Sequence, residues 1–278
     1  MTTKSFPDRR GPVSIEAYHP DVYNQLNVFS TSKALLPEYK QYLPCLGNVL
    51  VRNKLHDHFG ISLLHKHFDL FDDEILLRSI DSEHNCAHMK PNRRSDGAIP
   101  YLWKPVRGPQ GQWLFFPLEY LQPLDKVYVH RPDLAELSPF LVEIADTLEA
   151  LNVLDLFSIA EANITSIRIG SDEILVETTD SEKRRLDLQP VHYTDVSSDE
   201  VTETFWMFNA SEHSTKEPAE GPSEGPTEEP TEGPTEERAV NVCSGQHCVG
   251  HCKAHCKAHC KSHCLDHKFT VATKVSNG

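Results

Sequence analysis

The chain has 278 residues, 38% of them hydrophobic, and a formal net charge of −14. That charge is uneven: residues 1–209 carry −11, residues 210–238 carry −7, and residues 239–278 carry +4. A net-acidic body argues against nucleic acid as a partner, and no run of about 18 apolar residues is present to span a bilayer.

The N-terminus, MTTKSFPDRRGPVSIEAYHP, has charges and prolines where a secretory signal would need an apolar run. The expectation is a cytoplasmic protein, with the nucleus also compatible, so the sequons at Asn163 and Asn209 carry no weight. Residues 1–11 read as a flexible leader and residues 12–209 as one globular domain. From Pro20 to about Phe59 the pattern is helical in two pieces, separated by Pro37 and Pro44. Val22, Leu26 and Phe29 mark the first, and Leu46, Val49, Leu50 and Leu55 the second, with Gly60 ending it. Strand patterns follow at Ile61–Phe68, Glu74–Ile80, Ile99–Val106 and Gln112–Pro117. Ser138, as an N-cap before Pro139, opens a helix carrying Leu141, Ile144, Ala145, Leu148 and Leu151. Three more strands are expected at Ile164–Ile169, Ile174–Thr178 and Arg184–Leu188, the last two joined as a hairpin through Thr179–Glu182. Thr202–Phe208 closes the domain. Runs of strands with grouped helices predict an α+β fold with a mainly antiparallel sheet. Trp103, Trp113, Phe115 and Phe116 read as sheet core, and Cys45 and Cys86 as small core residues. Asp72-Asp73-Glu74 and Glu143/Asp146/Glu149 read as solvated faces.

After Asn209 the chemistry changes. Residues 210–238 are an acidic linker whose Glu/Pro motif returns every four residues, with Pro at 222, 226, 230 and 234. With no apolar surface to offset ordering entropy, this segment is expected to be disordered. Residues 239–278 then hold a His-Cys pair every four residues. Twelve candidate metal ligands fall between Cys243 and His267: Cys243, His247, Cys248, His251, Cys252, His255, Cys256, His259, Cys260, His263, Cys264 and His267. In a reducing compartment clustered Cys beside His favours a metal over disulfides, with thiolate suiting Cu(I) and mixed Cys/His suiting Zn(II). A tandem repeat without a selected role, and a redox function, are the alternatives.

A second candidate lies in the body, where His56 to Glu74 reads HDHFGISLLHKHFDLFDDE. On a strand His65 and His67 would share a face, and Asp69, Glu74 or His88 could complete a metal site. The bland reading makes them histidines at the border of an apolar strand face. No nucleophile elbow, P-loop or dinucleotide fingerprint is present.

The four-residue Cys spacing of the tail resembles the helical Cys repeats of bacterial copper-storage proteins, and metallothionein-like buffering is the nearer functional analogy. The His65 segment is similar to the first cupin motif and to the metallo-β-lactamase H-x-H-x-D-H. It departs from the cupin motif in the placing of His65 and Glu74, and Leu70 stands where the last lactamase His belongs. Residues 45–210, through Gly60-x-x-Leu-Leu-His-x-His-Phe68, resemble uncharacterised proteins of filamentous fungi, a resemblance that implies no known activity. Three functions are therefore expected: metal sequestration or sensing by the tail first, then a metal-dependent enzyme centred on His65/His67, then a scaffold binding protein partners. The repeat is expected to bind several Cu(I) or Zn(II) ions. Its ligands must lose protons to bind, so metal content of the purified chain should fall as pH drops toward about 5.

Overall fold

The computed structural model describes residues 13–93, 97–122, 134–162, 167–197, 201–210 and 271–274. The Glu/Pro repeat and the Cys/His repeat lie outside these residues. Strand β1 (Val13–Ile15) leads into three helices, α1 (Pro20–Asn24), α2 (Phe29–Tyr39) and α3 (Leu43–Arg52). Pro20 and Pro44 sit in first turns, where the missing N–H costs nothing. Pro37 lies inside α2; two residues later the helix stops and tightens into a 3-10 turn over Lys40–Tyr42. On α3, Leu43, Leu46, Val49 and Leu50 form the buried face. Cys45 is exposed, contrary to its expected place in the core.

Strands β2 (Phe59–Leu63), β3 (Glu74–Asp81), β4 (Cys86–Arg93), β5 (Ile99–Arg107) and β6 (Trp113–Leu121) follow. Helix α4 (Ser138–Ala150) precedes β7 (Phe157–Glu161), β8 (Glu173–Asp180), β9 (Arg185–His192), β10 (Val201–Trp206) and β11 (Val271–Lys274). Several expectations are corrected. The expected strand over Ile61–Phe68 stops at Leu63. Gly60 belongs to β2 rather than ending a helix, and a Cβ there would meet the Phe205 ring at 2.4 Å. Ser138 is the first residue of α4, which follows a 3-10 turn over Leu134–Leu137, and the helix has no side-chain cap. The strand expected at Ile164–Ile169 lies instead at Phe157–Glu161; Ile167–Ile169 is not strand and the residues before it are outside the description.

The eleven strands form one sheet in the order β1-β6-β3-β4-β9-β8-β11-β10-β2-β7-β5, and β5 also pairs with β6. The ladder therefore returns on itself: ten strands close a ring and β1 is appended to β6. The sheet is mixed, not purely antiparallel, because β1–β6, β3–β6 and β8–β11 run parallel. Alternation along the strands divides the apolar residues into two cores. Ile159 and Ala160 are neighbours in β7 yet fall in different cores, as do Leu102 and Trp103 in β5. The first packs α3 and α4 against one sheet face, around Phe59, Trp103, Trp113, Phe115 and Phe157. Phe116 is only half-buried. The second, around Leu64, Ile75, Leu77, Met89, Tyr101 and Leu186, occupies the opposite face and includes Tyr23 of α1.

The carboxylates expected as solvated faces are tied across elements. Glu143 accepts from Arg52 and, at 2.8 Å, from Asn53. Asp146 accepts from the Trp113 indole at 2.7 Å and from Arg107 at 3.1 Å. Arg107 also bonds Glu149 and stacks 3.7 Å from the Trp113 ring.

Strand β11 has a consequence for where the chain can be cut. Phe205 of β10 pairs with Val271 of β11, so the chain between them joins two antiparallel neighbours. A fragment ending at residue 210 would leave β8 and β10 without the strand between them. That fragment should unfold at lower denaturant than the full chain. Replacing residues 210–268 by a short hairpin turn should preserve the fold and add up to about 2 kcal/mol through the shorter loop. Urea titrations of the three chains check this.

Candidate metal centre

Beyond Leu63 the chain leaves the sheet, with Lys66 in an isolated parallel bridge to Val28 and bends at His67 and Phe68. Leu64 N–H donates to Leu156 O at 2.8 Å, and Lys66 N–H to Asn27 O at 2.8 Å. The Ser32 hydroxyl donates to Leu64 O at 2.7 Å, and His67 N–H donates to the Tyr23 hydroxyl at 3.2 Å. The Asn24 amide then bonds both the carbonyl and the N–H of Leu70, at 2.8 and 2.9 Å. The expected pairing of His65 with His67 survives without the strand. Their ring centroids are 4.7 Å apart.

The third member is Glu177, from the middle of β8. It shares a strand face with Leu175, which packs in the second core. The Nε2 atoms of His65 and of His67 each lie 3.6 Å from Glu177 Oε1, and the side chains are 7%, 2% and 9% exposed. All three ligand atoms lie within 4.8 Å of one another. The other ring nitrogens are already engaged. His65 Nδ1 sits 2.9 Å from Leu63 O; a carbonyl can only accept, so Nδ1 carries a proton and Nε2 is the ring nitrogen that faces Glu177. His67 Nδ1 sits 3.1 Å from Thr179 Oγ1. Partners that orient the imidazoles through their second nitrogen are what metal-ligating histidines need.

A gap of 3.6 Å is too long for an N–H···O hydrogen bond. It is close to the about 3.4 Å that separates two ligands each about 2.1 Å from a tetrahedral ion. His65 Nε2 has no hydrogen-bond partner despite its burial, and neither has Nε of the buried Arg78. The electrostatics suit a cation. Burial pushes the Glu177 carboxyl up, but the two imidazoles and Arg78 outweigh it and hold the group at about 2. Burial draws the His67 imidazole down to about 4, and the neighbouring His65 adds to this. Burial also opposes protonation of His65, yet Glu177 overcomes it and raises that imidazole. Close by, Tyr101 donates to Glu119, whose carboxyl burial raises. The Arg78 guanidinium stacks 4.4 Å from the Tyr101 ring, with Nη2 4.0 Å from Glu119 Oε2.

The three third ligands expected from sequence are engaged elsewhere. Asp69 pairs with Lys66 at 2.7 Å. Glu74 takes both Arg184 nitrogens, at 3.1 and 2.5 Å. His88 lies against Asp187 at 2.6 Å. Glu177 was missed because 110 residues separate it from His67; its one signal is an acidic residue closing the apolar run Ile174-Leu175-Val176. The twelve tail ligands from Cys243 to His267 lie outside the described residues. Compared with known protein families, curated proteins and solved structures, the chain matches none of them. Among the described residues no helix is long and apolar enough to cross a membrane.

The Glu74–Arg184 pair gives a pH test of the frame around this centre. Hydrogen bonds from Arg184 hold the Glu74 carboxyl below its ordinary range. A depressed carboxylate stabilises the fold above its unfolded pKa, and that contribution is lost as pH falls through the folded value. Glu74→Gln should therefore cost about 0.5–1 kcal/mol at pH 7, the size of a solvent-screened pair, with the difference shrinking as pH falls below 4.5 and gone once pH is below the folded value. Chemical denaturation of both chains across that range checks it.

Proposed function

We propose that the ring of strands holds one divalent transition-metal ion on His65 Nε2, His67 Nε2 and Glu177, and that the chain is a metal-dependent enzyme. The observation that carries this is the convergence of two buried imidazoles and an ionised carboxylate on one point, with His65 Nε2 otherwise unpartnered. Two nitrogens and one carboxylate oxygen suit Zn(II), Fe(II) or Mn(II), and without a thiolate they disfavour Cu(I). Three protein ligands leave coordination positions for an exogenous molecule, the pattern of catalytic rather than structural sites. Glu119, whose carboxyl burial raises, and the Arg78 guanidinium lie beside the centre.

A second reading rests on composition alone. The Cys/His repeat is a thiolate–imidazole array suited to holding Cu(I) or Zn(II), and such a tail would sequester or supply metal in the same molecule. The two readings separate in the chain whose residues 210–268 are replaced by a turn. That chain, carrying Cys86→Ser to remove the hairpin thiol, should retain one ion per molecule by mass spectrometric metal analysis. Glu177→Gln and His67→Ala should each reduce its metal content at least about tenfold, with the far-ultraviolet circular dichroism unchanged. A folded repeat-free chain that takes up no metal when offered Zn(II), Fe(II) or Mn(II) would refute the centre and leave the repeat as the sole metal-binding reading.

A further inference from the structure

The hairpin of β3 and β4 carries a second set of donors. Asp81 and Cys86 are direct cross-strand partners, and His88 follows two residues later on the same face. Ala87 and Met89, which alternate with them, point the opposite way into the second core. Ligand atoms of Asp81, Cys86 and His88 lie within 4.8 Å of one another, and all three residues are half-buried. Asp81 is fixed by the turn: its Oδ1 accepts from the N–H groups of Glu83 and His84 at 3.1 Å each, and its Oδ2 lies 2.8 Å from His84 Nδ1.

Cys86 Sγ and His88 Nε2 are 3.6 Å apart. Sulfur at about 2.3 Å and nitrogen at about 2.05 Å from one tetrahedral ion are also about 3.6 Å apart. His88 Nδ1 lies 2.6 Å from Oδ1 of Asp187, its register partner on β9. With the proton on Nδ1, toward Asp187, the Nε2 lone pair turns toward the thiol; Arg185 Nη2, which can only donate, favours the other tautomer. Arg185 Nη2 also lies 2.8 Å from Nδ1, while its Nε donates to Asp187 Oδ1 at 2.6 Å and steadies that carboxylate. The resulting carboxylate–histidine arrangement is the one that orients metal-bound imidazoles. A thiol that simply donates to the imidazole would show the same spacing, and an experiment must separate the two.

We propose that Asp81, Cys86 and His88 form a second metal site, on the opposite sheet face from the core beside His65, for a borderline divalent ion of the zinc class. One thiolate, one imidazole and one carboxylate supply three ligands and water the fourth. Binding releases the thiol proton to solvent. The site is independent of the His65 centre, since the two share no residue.

Peptide-resolved alkylation of the reduced full chain tests this, because it reads Cys86 separately from the cysteines of the repeat. Cys45 is exposed and has no metal-ligating neighbour in this group, so it serves as an internal reference. Excess Zn(II) should slow modification of Cys86 by N-ethylmaleimide by about tenfold or more, since a metal-bound thiolate is a poor nucleophile, and EDTA should reverse this. The Cys45 rate should not change. His88→Gln and Asp81→Asn should each weaken the protection, while His67→Ala, which disables only the other centre, should leave it intact. Equal Cys86 rates with and without Zn(II) in the wild-type chain would overturn the proposal, as would protection that survives in both hairpin variants.

Discussion

The carboxylate of Glu177 is buried where water cannot solvate it, and much of the surrounding arrangement answers that charge. An unpaired carboxylate in such a place would cost several kcal/mol, so it must neutralise or find cations. Two imidazoles and the Arg78 guanidinium surround it and keep it ionised. Burial draws His67 down, with the neighbouring His65 adding to it, while Glu177 raises His65 against its own burial, so the two imidazoles shift in opposite directions. A divalent ion meets the same electrostatic demand while also satisfying the Nε2 lone pairs.

The closed ladder is what creates that environment. Strand β5 pairs on both edges, with β7 and with β6, and β11 joins β8 to β10. With its ten-strand ring the fold leaves few free strand edges among the described residues, and it lets β8 face the end of β2. Helices α3 and α4 cover one sheet face and leave the other to the polar group. The irregular chain after β2 is positioned by hydrogen bonds with Ser32, Tyr23 and Asn24 rather than by a ladder. Rigidity there follows from specific side chains, so the two imidazoles are held in place although neither lies on a strand.

The donor sets along the chain differ in chemical softness. The His65 group offers nitrogen and oxygen, the hairpin at Cys86 offers nitrogen, oxygen and one sulfur, and the C-terminal repeat offers nitrogen and many sulfurs. Softer donors favour softer ions, so the three sets need not compete for one metal. Their presence in a single chain is a chemical connection between body and repeat.

Much was legible in the residues alone. The break in composition near residue 210, the α+β class, the three helical segments and the hairpin of β8 and β9 all follow from local pattern, because turn chemistry and apolar period act over a few residues. The pairing of His65 with His67 was legible for the same reason. Strand β7 was not: Phe157–Glu161 is buried throughout, so it has no alternation to read. Nor was β4, whose Cys86/His88 and Ala87/Met89 alternation is masked by Asn85 and Pro91. The sequence candidates for a third ligand, Asp69, Glu74 and His88, are instead engaged by Lys66, Arg184 and Asp187. Only the closed sheet brings Glu177 to the two imidazoles, across more than a hundred residues, and only the register of β4 with β9 sets Asp187 behind His88. Residue type and spacing determine which side chains can bind an ion. Which of them converge is decided by strand pairing, because contacts between distant segments depend on the whole ladder and leave no periodic trace in either segment.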